Sequence, residues 1–143
     1  MHASQTFPAI LPALSEILAF VSRHAERHGF SSRRCLQLQL GVEEVVVNIC
    51  RHAYAGSEGE IEVTLGLADD RFSVEIRDRG VLFDPLAQPR PDFAVPLDER
   101  EEGGLGVFLV GSVFDEVRYR REGEVNVLEL IAMLPDEGRR GCP

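Results

Sequence analysis

Three short stretches of this chain carry side chains that could do chemistry together. In the first, Glu44-Val45-Val46-Val47-Asn48, a carboxylate and a carboxamide stand four residues apart. On a helix they project the same way, about 40° apart around the axis. The amide oxygen of Asn48 is a hard ligand of the kind magnesium takes in octahedral coordination. Glu44 beside it could orient or deprotonate a nucleophile. Alone, such a pair is better explained as two polar positions on an amphipathic helix. The second stretch is Ile76-Arg77-Asp78-Arg79-Gly80. An Asp at a strand end followed by Gly is commonly a turn. Its chemical reading is a carboxylate that accepts a hydrogen bond from an exocyclic amine such as adenine's, with Gly80 letting the backbone approach the base. The third stretch is Gly103-Gly104-Leu105-Gly106, which runs into the apolar Val107-Phe108-Leu109-Val110. Three glycines in four residues weaken a helix start for no structural gain. They suit close approach of backbone N–H groups to phosphate.

Composition narrows the chemistry. The formal net charge is −9 over 143 residues, which argues against a general nucleic-acid binder, because phosphate backbones need a basic surface. All 15 positive charges are arginine. That excludes a GxxxxGK[ST] phosphate loop, a Schiff-base lysine and the strand lysine of eukaryote-type kinases. Cys35, Cys50 and Cys142 form neither a CxxC pair nor a disulfide framework; the first two read as small core residues. No segment has the length and apolarity of a membrane span or signal peptide. The expectation is a cytoplasmic protein with no membrane association.

The elements that must position these stretches follow from periodicity. Leu11, Leu14, Leu18, Val21 and Ala25 recur at helical steps, predicting a helix over 11–27. Its stripe reads as core, and its flank offers a partner or homodimer surface. A serine in the loop at 31–32 caps a second helix over 33–54. Val45-Val46-Val47 favours a strand locally. Periodicity decides for the helix: Val42, Val45, Val46, Ile49 and Ala53 make an apolar stripe, and Glu44, Asn48 and Arg51 a polar one. The period then changes to two through Ile61, Val63, Leu65 and Leu67, and again through Phe72, Val74 and Ile76, predicting a hairpin. Residues 78–104 carry Pro85, Pro89, Pro91 and Pro96 and read as a long functional loop. A short helix over 105–113 and two strands, one around Val117 and Tyr119 and one over 125–134, complete the chain. This order predicts one α+β domain over 1–143. It is a two-layer sandwich with a mixed, mostly antiparallel sheet covered by helices on one face.

Together, in this order and spacing, the three stretches resemble the N, G1 and G2 boxes of the ATPase superfamily of DNA gyrase, MutL and sensor histidine kinases. Within it, the chain is most similar to stand-alone anti-sigma-factor serine/threonine kinases. The resemblance runs from about residue 7 to 134 and rests on Leu40-Gly-Val-Glu-Glu-Val-Val-Val-Asn-Ile-Cys-Arg-His-Ala-Tyr54, Asp78-Arg-Gly-Val-Leu-Phe-Asp-Pro85 and Glu102-Gly-Gly-Leu-Gly-Val-Phe-Leu-Val110. It implies the histidine-kinase-like ATPase fold, with ATP and Mg2+ as cofactors. It implies Asn48 as the magnesium ligand and Glu44 as the base that activates a serine or threonine hydroxyl. Asp78 recognises adenine and Gly80 shapes its pocket. Gly103, Gly104, Leu105 and Gly106 surround the phosphates, with a lid over about 79–103. Arg51 either reaches the phosphates or pairs with an acid; Arg79, Arg90 and Arg100 are the other candidates. The implied partners are an anti-anti-sigma protein as phosphoacceptor and a sigma factor.

Leu82 stands where many relatives carry a second glycine, a mark of the anti-sigma branch. His52, at the end of the N-box helix, reads as structural rather than as a phosphoacceptor. Beside the kinase stand two other readings: a nucleotide-responsive binding protein without turnover, and a detached histidine-kinase domain working in trans.

Overall fold

The computed structural model describes residues 2–54, 57–87 and 110–135. Five strands form one sheet: β1 (His2–Pro8), β2 (Glu60–Ala68), β3 (Arg71–Asp78), β4 (Glu116–Glu122) and β5 (Val125–Met133). Their order is β1-β2-β3-β5-β4, and every pairing is antiparallel. The mostly antiparallel sheet expected from the sequence is, among the described residues, antiparallel throughout. Two helices, α1 (Leu14–Arg27) and α2 (Ser32–Asn48), pack together on one face. Residues 110–113 form one helical turn, the described end of the short helix expected over 105–113. The core lies between the layers, with Ile61, Val63 and Leu65 of β2 and Phe72, Val74 and Ile76 of β3 opposing Ile17, Val21, Val42 and Val46. The result is the two-layer α+β sandwich that the element order predicts.

The strand β1 has no counterpart in the sequence reading. Only Phe7 in it is buried, so apolar alternation leaves no trace. Backbone pairing with β2 and one aromatic anchor, Phe7 against Phe20 at 5.9 Å between centroids, hold it. The first helix also differs in detail. Residues 11–13 form a 3-10 turn, and Leu11 is 46% exposed. The buried stripe is Ala13, Ile17, Phe20, Val21 and Ala25, with Leu14 and Leu18 at its margin. Leu11 precedes the α-helical register, so its step of three to Leu14 does not carry it onto the core face.

For α2 the periodicity prevails over the strand propensity of its valines: Val42, Val45, Val46, Ile49 and Ala53 are all buried. Ser31 caps it by accepting a hydrogen bond from the Arg34 backbone N–H at 3.1 Å. Ser31→Ala should lower stability by about 1 kcal/mol, read as a shift in the urea midpoint with unchanged slope. A Cβ at Gly41 would come within 2.7 Å of the Phe114 ring, which explains a glycine inside a long helix.

The far sheet face carries a mesh of ion pairs. Arg77 bonds Glu75 and Arg120 bonds Glu122, each at 2.6 Å. Val127 and Ile131 are buried on that face even though the helices lie on the other. The aliphatic stems of neighbouring arginines suit this covering role. Among the described residues, no helix is long and apolar enough to cross a membrane.

Candidate nucleotide site

The site forms where α2 ends above the C-terminal end of β3. The continuous helix expected to Tyr54 does not persist. After Asn48 the chain widens into a π turn over Ile49–Ala53, closed by the Tyr54 N–H on the Ile49 carbonyl at 3.0 Å. Such turns cluster at functional sites because they re-aim a few residues without ending the helix. Here the widening delivers the Ala53 carbonyl to the Val81 N–H at 2.7 Å. It also seats the Tyr54 ring so that its hydroxyl donates to the Glu60 carbonyl at 2.6 Å and accepts from the Arg79 N–H at 2.8 Å. The end of the first motif is thereby bolted to the start of the second.

Gly80 makes this approach possible. A Cβ there would collide with the carbonyl carbon and oxygen of Ala53. Among the described residues, its constraint is thus close packing of the turn against the helix end. Gly80→Ala should push the two apart, costing about 1–3 kcal/mol of stability, the range for overpacking. A thermal melt measures the loss, and Val81 amide exchange should accelerate with it.

Asp78 lies directly opposite Asn126 of β5. Both face the helix layer and are buried, at 5% and 3% exposure, and Asn48 joins them at 5%. Val45, Ile49 and Leu128 supply apolar walls to the pocket that these three polar residues share. Asp78 Oδ1 accepts hydrogen bonds from the Gly80 N–H and from Asn126 Nδ2, both at 2.9 Å. Among the described residues both bonds fall on Oδ1, so Oδ2 keeps its acceptor capacity. Burial raises the Asp78 carboxyl above its ordinary value; the Asn126 and Gly80 hydrogen bonds and the Arg121 charge oppose the rise. A buried acceptor flanked by apolar walls suits the amine edge of a flat base.

Glu44 is half-buried one turn before Asn48. Desolvation raises its carboxyl, Glu43 adds to the rise, and the Arg51 charge lowers it. His52 stacks on Phe83 with centroids 5.0 Å apart and planes 16° apart, placing a ring pair at the pocket rim. In the Phe-Asp-Pro stretch, Asp84 Oδ1 accepts from the Leu86 N–H at 2.9 Å, opening a short 3-10 turn over Pro85–Ala87.

The structure therefore brings Asn48, Asp78 and Gly80 together, with Glu44 and Arg51 on the adjoining helical turns. Gly103, Gly104, Leu105 and Gly106, the arginines at 90 and 100, Cys142 and the lid beyond residue 87 lie outside the described residues. Two site residues escape the sequence reading. Asn126 occupies an inward position of a strand otherwise apolar on that face; a lone amide in such a register needs buried partners, and that is the available signal. Arg121 donates from Nη1 to the Gly80 carbonyl at 2.9 Å; nothing in its exposed-looking Arg118-Tyr-Arg-Arg121 context marks it.

Asn48 lines the pocket with a side-chain amide. One amide is enough for Mg2+, which keeps several waters and takes its other ligands from phosphate. The donor set thus fits a magnesium-nucleotide.

Comparison with known proteins shows the family. The family model described as histidine kinase-like ATPase domain matches residues 7–132. A serine-protein kinase RsbW of Bacillus cereus is 29% identical over 126 residues, covering 82% of this chain and 79% of its own. An RsbW of Bacillus thuringiensis subsp. konkukian matches to the same extent. In the crystal structure of the RsbU and RsbW domains of Rv1364c from Mycobacterium tuberculosis, a similar fold covers 94% of this chain with a TM-score of 0.66 at 19% identity. This chain spans 32% of that longer one. The chain belongs to the histidine kinase-like ATPase domain family, and within it resembles the serine-protein kinases named RsbW.

Proposed function

We propose that this protein is an ATP-dependent serine/threonine protein kinase of the anti-sigma type, working in the cytoplasm. It phosphorylates an anti-anti-sigma protein and, in its other binding state, sequesters a sigma factor. The observation that carries the reading is the buried Asp78 carboxylate, with Oδ2 uncommitted among the described residues, in one apolar-walled pocket with Asn48.

Each residue has a task in this reading. Asp78 accepts the adenine amine through Oδ2. The Asn48 amide oxygen holds the metal side of the nucleotide. Glu44, its carboxyl raised by burial, takes the proton from the acceptor hydroxyl; a base poised nearer neutrality is the better proton acceptor in the transition state. Arg51 moderates Glu44. The glycines at 103, 104 and 106 with Leu105 supply backbone donors for the phosphates. Bound magnesium-ATP supplies the transferable phosphoryl group; the chain supplies position and electrostatics, the main terms in this chemistry.

The test is incubation with γ-labelled ATP and a candidate anti-anti-sigma protein from the same organism. Label on a serine or threonine of that protein supports the kinase. Nucleotide binding and complex formation without transfer would leave a nucleotide-responsive binding protein. Transfer to a histidine would favour the histidine-kinase reading.

A further inference from the structure

Asn126 makes four hydrogen bonds with one amide. Nδ2 donates to Asp78 Oδ1 at 2.9 Å and to the Val81 carbonyl at 2.8 Å. Oδ1 accepts from the Tyr119 hydroxyl at 2.6 Å and, more weakly, from the Phe83 N–H at 3.4 Å. An amide has two donors and two acceptor sites, so its capacity is full. The orientation is also fixed: flipped, it would set its NH2 against two donors and its oxygen against a carboxylate and a carbonyl. A single buried side chain thus ties the base-facing carboxylate, the loop after β3 and the rim tyrosine together.

We propose that Asn126 is a positioning residue that sets base selectivity. Its locked amide holds Asp78 as an acceptor-only carboxylate, favouring a base with an exocyclic amine over one with a keto oxygen at that place. The inference rests on the nucleotide-site reading above. A carboxylate cannot donate, so a keto oxygen facing Asp78 Oδ2 meets repulsion, and a buried mismatch of this kind is strongly rejected. Among the described residues, the charged and titratable groups around Asp78 include Arg121 and Tyr119 on β4 and Asp84 in the following loop, with Tyr54, Glu58, Glu60, Glu62, Arg77 and Arg79 lining the space on its other side. Of the side chains, only the Asn126 amide hydrogen-bonds the carboxylate among the described residues. In Asn126→Asp two carboxylates face each other, and one retains a proton to higher pH. The pair then offers an O–H donor, and a keto base is no longer refused.

Two readouts test this. The first is 13C-carboxyl NMR titration of Asp78 in the nucleotide-free wild type, Asn126→Asp and Asn126→Leu. The midpoint should rise in both variants. The second is calorimetry with magnesium-ATP and magnesium-GTP. The wild type should prefer ATP by about 100-fold or more, and Asn126→Asp should bring the ratio below about tenfold. If circular dichroism shows that a variant at 126 does not fold, Tyr119→Phe, which removes one partner of the amide, should move both readouts the same way by less. An unchanged Asp78 midpoint together with an unchanged ATP:GTP ratio overturns the proposal. A wild type that binds no nucleotide would instead remove the site reading, while the carboxyl titration would still decide whether Asn126 controls Asp78.

Discussion

Asp78→Asn should lose ATP binding while the protein stays folded. The substitution is isosteric. The new amide oxygen can still accept from the Gly80 N–H and Asn126 Nδ2, as Oδ1 does now at 2.9 Å. The amide nitrogen then takes the place of Oδ2, and the adenine amine meets a donor instead of an acceptor. A hydrogen bond to a charged group is worth about 1.5–3 kcal/mol, and an unmet buried donor adds to the loss, so affinity should fall ~100-fold or more. Stability should move the other way. Burial raises the Asp78 carboxyl above its unfolded value, so the ionised form is disfavoured in the folded state. That cost is fully present above the folded pKa and disappears as pH falls below the unfolded one. At neutral pH, Asp78→Asn removes it, and the nucleotide-free variant should melt no lower than the wild type. A variant that both loses ATP and unfolds would indicate a structural carboxylate.

Glu44→Ala should leave ATP binding within about threefold of wild type and lower phosphoryl transfer by roughly 10²- to 10⁴-fold, the usual contribution of a positioned base. Glu44 is half-buried, so its truncation leaves little cavity. The pH profile carries the second half of the expectation. The carboxyl is raised by desolvation and by Glu43, against Arg51. The base must be ionised to act. The wild-type rate should therefore rise with pH and reach its plateau later than an ordinary carboxylate would allow. Arg51→Gln removes the opposing positive charge and should shift that limb to higher pH. Single-turnover transfer measured across the acidic-to-neutral range reads both effects. Transfer that persists in Glu44→Ala would mean that the hydroxyl is activated without this carboxylate.

Much of this site is legible in the sequence because it is built from spacing. Glu44 and Asn48 share a helical face; Asp78 closes a strand of clean alternation; Gly80 follows it where no Cβ fits. Local sequence carries such features. It carries poorly the features that depend on partners far along the chain. The π turn after Asn48 exists because Ala53 and Tyr54 reach Val81, Glu60 and Arg79, and nothing in Ile49-Cys-Arg-His-Ala53 announces it. β1 is a polar edge strand whose only buried side chain is Phe7. Asn126 sits 48 residues from the Asp78 it orients, in a strand apolar enough to read as plain core. The register that makes Asn126 inward, in phase with Leu128, Leu130 and Ala132, follows from period two alone. An amide in that phase implies a buried polar partner, but periodicity does not say which one.

The most direct measurement is calorimetric titration of the purified protein with magnesium-ATP, beside Asn48→Ala and Asp78→Ala. The site described above predicts saturable binding by the wild type, with both substitutions removing it and neither unfolding the chain. Absence of binding by the wild type, or wild-type affinity in both variants, would contradict a nucleotide site between α2 and β3.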